Sequence, residues 1–207
     1  MSFDIWITYV ATVLLLMSTP GPSQLLMLSN SATNGLRRGF FTAAGDLTAN
    51  FFQMLAAGLG LAALIATSGT AFTVIKWLGV TYLIYLGVKQ IVKARVAETN
   101  DAPRASRKAL WMQGFITSAA NPKAVVFFAA LFPLFIDGAL PCWPQFAILS
   151  ATYLIIDGLF LMAYGSTASW LARRLQGPAR LWLDRIGGSF MILAAALLGF
   201  KSLRAAS

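Results

Sequence analysis

Two apolar stretches of this chain are interrupted near their middles, one by Pro20-Gly21-Pro22 and the other by Asn121-Pro122-Lys123. Proline has no backbone N–H and clashes with the preceding turn, so neither stretch continues as one unbroken α-helix. Inside hydrocarbon, a broken helix leaves N–H and C=O groups that no water can satisfy. Such a break is tolerated only where it is buried in protein or lines a wet cavity. Matching interruptions in two halves of a chain point to a solute site near the membrane midplane. The pattern predicts a carrier of small solutes.

That the stretches belong in a membrane follows from composition. Hydrophobic residues make up 58% of the 207 and charged residues only 11%, with mean hydropathy +0.71; soluble domains carry roughly 25% charge. The apolar segments are too long for a β-barrel, whose strands alternate in character over about 10 residues. Six helical spans of bilayer-crossing length fit, over about 4–33, 39–66, 70–93, 109–136, 145–171 and 182–204. The expected fold is an all-α integral membrane protein. Its six transmembrane helices form two inverted three-helix repeats, with helices 1 and 4 broken. One domain covers residues 1–207: repeat one over about 1–94, a cytoplasmic connector over about 95–108, and repeat two over about 109–207. Gly79-Val80-Thr81-Tyr82-Leu83-Ile84 in span 3 and Gly187-Gly188-Ser189-Phe190-Met191-Ile192 in span 6 are weakly alike. An odd number of spans per half requires the second half to enter the membrane in the opposite sense. Met1-Ser2-Phe3-Asp4 has no basic residue, so the first span reads as a retained helix and not a cleaved signal peptide.

The net charge of +9 could suit nucleic acid, but its placement argues for topology. Arg37 and Arg38 follow span 1. Lys89, Lys93, Arg95, Arg104, Arg107 and Lys108 flank the connector, and Arg173, Arg174, Arg180 and Arg185 flank the last loop. These twelve share one side, which the positive-inside rule makes cytoplasmic, leaving both termini periplasmic. No nucleic-acid partner is expected; acidic lipid headgroups are. The six tryptophans fall near span ends, as an aromatic belt requires.

Histidine is absent and Cys142 is the single cysteine, which removes the usual proton shuttle, the usual metal ligand and any internal disulfide. No cofactor, metal or catalytic residue is expected. Proton chemistry must then use carboxylates. In the first break a half-helix ends near Thr19, Pro20-Gly21 forms a turn and Pro22 starts a second half-helix; in the other, Asn121 suits an N-cap and Pro122 a first helical residue. Two half-helices would thus present N-terminal dipole ends, each of about half a unit charge, near the bilayer centre. Pro20, Gly21, Pro22, Ser23, Asn121, Pro122 and Lys123 are therefore candidate substrate-binding residues, and Asn50 joins them. Asp46, Asn50 and Gln53 share one helical face. Asp157 lies deep in span 5, and an ionisable residue there costs roughly 2.5–3.5 kcal/mol. Asp157, ahead of Asp46, is the candidate for proton coupling or for holding an amine. Two alternatives stand beside this: Lys123 pairs with Asp157 or Asp46 as a structural bridge, or Asp46 is only a wet residue at the cavity mouth.

Along nearly its whole length the chain resembles the LysE/RhtB family of bacterial amino-acid exporters. The resemblance is carried by Ser18-Thr19-Pro20-Gly21-Pro22, by Asn121-Pro122-Lys123 with Ala129-Ala130-Leu131-Phe132-Pro133, by Asp157, by Gly177-Pro178 and by Gly188-Ser189-Phe190. It implies an inner-membrane, proton-driven exporter of homoserine, threonine, homoserine lactone, lysine or related compounds, with a homo-oligomer compatible. Metal or inorganic-ion export is the alternative within transport; an intramembrane enzyme or a non-transporting scaffold is the alternative outside it.

Overall fold

The computed structural model describes residues 1–59, 105–128, 132–137 and 139–174, with single positions at 77, 81, 84, 85, 88, 189 and 192. The third and sixth expected spans, and most of the connector, lie outside the described residues. Numbered along what is described, the helices are α1 (Phe3–Ser18), α2 (Pro22–Asn34), α3 (Leu36–Gly58), α4 (Arg107–Ala119), α5 (Pro122–Val126) and α6 (Cys142–Arg174), with a short 3-10 turn at Phe132–Phe135. No strand occurs among the described residues.

Each boundary has a local cause. Ser2 caps α1 by accepting from the Ile5 N–H at 3.4 Å. Extended backbone at Thr19 and Gly21 then stops the first helix and starts the second. α1 and α2 meet at 58° across that break. Between α2 and α3 the chain turns on one residue, Gly35, at φ 81° and ψ 158°. This is a region open to glycine and strained for residues with a Cβ. A loop carrying Arg37 and Arg38 is therefore not what forms; both arginines sit in the first turn of α3. Nothing lies within 4 Å of a Cβ built on Gly35, so Gly35→Ala isolates backbone strain. It is expected to cost roughly 1–3 kcal/mol, read as a lowered thermal midpoint in detergent; an unchanged midpoint contradicts the strained joint.

α6 is the longest element, 33 residues against an expected 145–171, because no breaker comes after Pro144, which sits harmlessly in its first turn. Among the described residues it alone is long and apolar enough to cross a membrane, and the bent α1–α2 pair passes the same test when taken together. The surface supports that setting. Leu15, Leu59, Ile155 and Leu159 are each more than 60% exposed, whereas Gln24, Asn30, Asp46, Asn50, Ser118 and Asp157 are buried. Apolar outside and polar inside is the pattern of a bundle bathed in lipid.

α3 and α4 come closest. A Cβ on Gly45 would collide with the Trp111 carbonyl, and one on Gly114 with the Thr42 carbonyl; small residues let two membrane helices touch backbone to backbone. Tyr9, Phe127, Phe128, Phe132, Phe146 and Tyr153 form the apolar core between α1, α6 and the segment after α5, with Tyr9 donating to the Leu149 carbonyl at 3.1 Å. At the opposite end, Arg38 donates to the Ala105 carbonyl at 2.7 Å, Arg107 lies 5.3 Å from the Phe41 ring, and the Leu36 N–H reaches Ser169 at 3.3 Å. The basic first turns of α3 and α4 and the basic last turn of α6 thus share one end of the bundle.

Candidate functional site

Asp157 sits near the middle of α6, about 22 Å along the axis from its start at 1.5 Å per residue. It is 2% exposed, as are Asp46 and Asn50 on α3. The Asn50 amide joins the acids: Nδ2 donates to Asp157 Oδ2 at 2.8 Å and to Asp46 Oδ2 at 3.0 Å. Its orientation is fixed from the other side, because Ser118 Oγ donates to Asn50 Oδ1 at 2.9 Å. Three helices thereby meet on one amide. Asp46 is accordingly not a wet residue at a cavity mouth. Its Oδ1 meets no donor in hydrogen-bonding geometry among the described residues.

Gln53, one turn further along α3, donates to the carbonyls of Ser118 and Ala119 at 3.3 and 3.2 Å. It satisfies acceptors left open where α4 ends. Asp46, Asn50 and Gln53 do share a face, directed at α4 and its terminus.

The two breaks lie against each other above this cluster. Asn121 Oδ1 accepts from the Lys123 N–H at 3.1 Å, capping α5 ahead of Pro122. The Lys123 ammonium crosses to the first break and donates to the Thr19 carbonyl at 2.7 Å. A Cβ on Gly21 would lie 3.7 Å from Lys123 Cδ. Lys123 therefore satisfies the terminal carbonyl of α1, the negative end of that helix, and does not close an ion pair with either aspartate. Gln24, to which the sequence pattern alone drew no notice, caps the same break from within α2: its Oε1 accepts from the Gly21 N–H at 3.0 Å. A glutamine three residues after the cap is a capping-box signal that sequence reasoning can find.

Leu16, Met17, Ser23, Gln24, Asp46, Asn50, Ser118, Asn121, Lys123, Ala124, Tyr153 and Asp157 line one small cavity. It leaves about 20 Å³ for the centres of water molecules, room for one or two waters, since each needs roughly 10–15 Å³ on that measure. That space is too small for an amino acid. Of the expected site residues, Ser23, Asn50, Asn121, Lys123, Asp46 and Asp157 reach this cavity. Pro20, Gly21 and Pro22 shape the first break beside it, and Pro122 starts α5 at the second. Ser118 and Tyr153 are lining residues that the sequence does not reveal, since only the packing of α4 and α6 brings them here.

The sequence pattern described as LysE type translocator matches residues 14–202, nearly the whole chain. The chain belongs to the LysE type translocator family. Among its relatives, a "Homoserine/homoserine lactone efflux protein" of Salmonella typhi and one of Salmonella typhimurium are each 33% identical over 200 residues, covering 96% of this chain and 97% of theirs. An "Uncharacterized membrane protein" of Vibrio cholerae is 32% identical over 200 residues, 96% of this chain and 98% of its own. No solved structure matches the chain. The family matched is one of translocators, and the cavity of this LysE-type chain offers two acids, one lysine and several amides in a buried space between helix breaks.

In this translocator Asn50 is the joint of the cluster. Asn50→Ala removes the donor shared by both acids, and a buried hydrogen bond to a charged group is worth roughly 1.5–3 kcal/mol. A fall in the thermal midpoint of the detergent-solubilised protein is expected; a midpoint equal to that of the unmodified chain contradicts the shared bridge.

Proposed function

We propose that the chain exports amino acids or close derivatives, of homoserine, threonine, homoserine lactone or lysine type, across the bacterial inner membrane by proton-coupled alternating access. The observation that carries the reading is the acid pair Asp46 and Asp157, held on one Asn50 amide directly beneath two touching helix breaks. Breaks at that depth are tolerated where they serve a polar cavity, and buried acids at the centre of a bundle mark ion and proton paths. The names of the Salmonella relatives supply the substrate class.

The bent α1–α2 pair is then one interrupted span and α4–α5 its counterpart in an inverted second repeat. The end carrying Arg37, Arg38, Arg107, Arg173 and Arg174 faces the cytoplasm, and the termini face the periplasm. The substrate ammonium enters from the cytoplasm and meets the acid pair, with Asp157 the main partner. A proton arriving from outside displaces it, and the return step carries that proton inward. One charge moving through 100 mV supplies about 2.3 kcal/mol, a gradient of roughly fifty-fold, enough for overflow export. No chemical conversion is part of this cycle, and the working unit is a monomer or a homo-oligomer.

The test is counterflow of radiolabelled homoserine, threonine and lysine into proteoliposomes containing the full chain. Uptake of at least one above protein-free liposomes, raised by an imposed proton gradient, is expected. Uptake of none of the three contradicts the reading.

A further inference from the structure

One face of α2 carries a polar stripe interrupted once. Ser23, Asn30 and Asn34 fall at i, i+7 and i+11, with Met27 among them at i+4, so the four share that face. Ser23 lines the central cavity. Asn34 lines a second, open cleft of about 720 Å³ at the arginine-bearing end, together with Arg37, Arg38, Arg107 and Met162. Asn30 stands between the two, about 10 Å from Ser23 at 1.5 Å per residue. The same order runs along α3, where Thr42 comes one turn before Asp46 and two before Asn50.

Asn30 and Thr42 are buried, yet the layer they form keeps open hydrogen-bonding capacity. Asn30 Nδ2 donates to Thr42 Oγ1 and to Gln113 Oε1, each at 3.0 Å. That leaves Asn30 Oδ1, an acceptor, and Gln113 Nε2, a donor, without partners among the described residues. An amino acid brings the complementary pair, an ammonium that donates and a carboxylate that accepts. The cleft beyond adds three arginines. The described acids are Asp4, Asp46, Asp137 and Asp157, and none of them lines that cleft. Such a mouth draws a solute carboxylate inward.

Closure differs on the two sides of the central cavity. Toward the arginine end, Met27, Ala43 and Leu161 form a small apolar layer between α2, α3 and α6, and a methionine side chain repacks readily. Toward the opposite end, the lining residue Tyr153 packs on Phe127 and Phe128 at ring distances of 5.5 and 4.8 Å. Tyr9, Phe132 and Phe146 continue that aromatic plug. The slighter barrier is the one on the Asn30 side.

Resting on the exporter reading, we propose that the substrate enters along this face of α2 and occupies a second subsite, made by Asn30, Thr42 and Gln113, before it reaches the acid pair. Its ammonium meets Asn30 Oδ1, and its carboxylate or lactone carbonyl accepts from Gln113 Nε2. Met27 is the side chain that turns aside to let it pass.

The test places single cysteines in a Cys142→Ser chain, in membrane vesicles of both orientations, and adds an impermeant trimethylammonium methanethiosulfonate. Asn30→Cys is expected to react at least about tenfold faster from the cytoplasmic face than from the periplasmic one. Saturating homoserine, threonine or lysine, whichever the unmodified chain carries, is expected to slow that reaction. Ile155→Cys, at a lipid-facing position 63% exposed, is expected not to react, since a thiolate forms only where water reaches. Equal rates from both faces, no reaction at Asn30→Cys, or no protection by the carried amino acid overturns the subsite. Gln113→Ala gives a second readout. It is expected to raise the cytoplasmic concentration for half-maximal efflux about tenfold, with the maximal rate nearly unchanged. A lowered maximal rate with unchanged half-saturation assigns Gln113 to helix packing alone and overturns the subsite. In each of these failures, counterflow by the Cys142→Ser chain still upholds the exporter reading. If none of labelled homoserine, threonine and lysine is moved, the exporter reading fails and the inference goes with it.

Discussion

Asp157→Asn is expected to remove the response of efflux to a proton gradient altogether and to lower efflux at saturating gradient by about ten- to hundredfold. The size follows from a hydrogen bond to a charged partner, worth roughly 1.5–3 kcal/mol, at tenfold per 1.4 kcal/mol. Asparagine has nearly the shape of aspartate, and its Oδ1 can still accept from Asn50 Nδ2, now at 2.8 Å from Asp157 Oδ2. The α3–α6 contact therefore survives while the charge and the titrating proton are lost. Efflux from proteoliposomes, with and without an imposed gradient, reads both effects, and a monodisperse gel-filtration profile checks the fold. Gradient-driven efflux equal to that of the unmodified chain would remove Asp157 from the cycle.

A large effect on stability is expected at the α3–α4 contact. A Cβ on Gly114 meets the Thr42 carbonyl and the Asp46 amide, all backbone atoms that cannot rotate away. Gly114→Ala must push the helices apart, at roughly 1–3 kcal/mol for overpacking, and Gly114→Leu must cost more. Separation also draws Ser118 away from Asn50, a bond of 2.9 Å, so transport should fall with stability. Gly158→Ala is the contrast. Its Cβ would sit 3.5 Å from Leu47 Cδ1, the movable end of a side chain, and a midpoint near that of the unmodified chain is expected. Equal, small effects of both alanines on the thermal midpoint would contradict the backbone contact.

The parts of the site that depend on local chemistry are legible in the sequence. Pro22 and Pro122 cannot continue a helix, and Asn121 is a strong cap for the helix after it; α2 and α5 start where those residues put them. The i, i+4 spacing of Asp46 and Asn50 places their side chains in hydrogen-bonding reach on one face, as the 3.0 Å bond records. Other features depend on which helices meet, and one-dimensional spacing carries no such information. By sequence Lys123 is free to pair with either aspartate; the approach of the two breaks gives it the Thr19 carbonyl instead. Arginines two turns before Asp46 suggest a place close to the membrane surface, yet α4 and α6 close over it. Ser118 is one of many serines until α4 packs on α3, when it becomes the group that orients the Asn50 amide.

The two helix breaks face each other over a shared cavity, and in the proposed cycle they separate for transport. Bridging them tests this most directly. In a Cys142→Ser background, Gly21→Cys and Lys123→Cys place thiols on two closely approaching segments, since a Cβ built on Gly21 would lie 3.7 Å from Lys123 Cδ, close enough for a short bis-methanethiosulfonate reagent. Cross-linking in native membranes is expected only in the double variant, with efflux arrested by the bridge and restored on reduction to the level before bridging. Failure of the pair to cross-link, or efflux that continues through a fully bridged protein, would contradict the account.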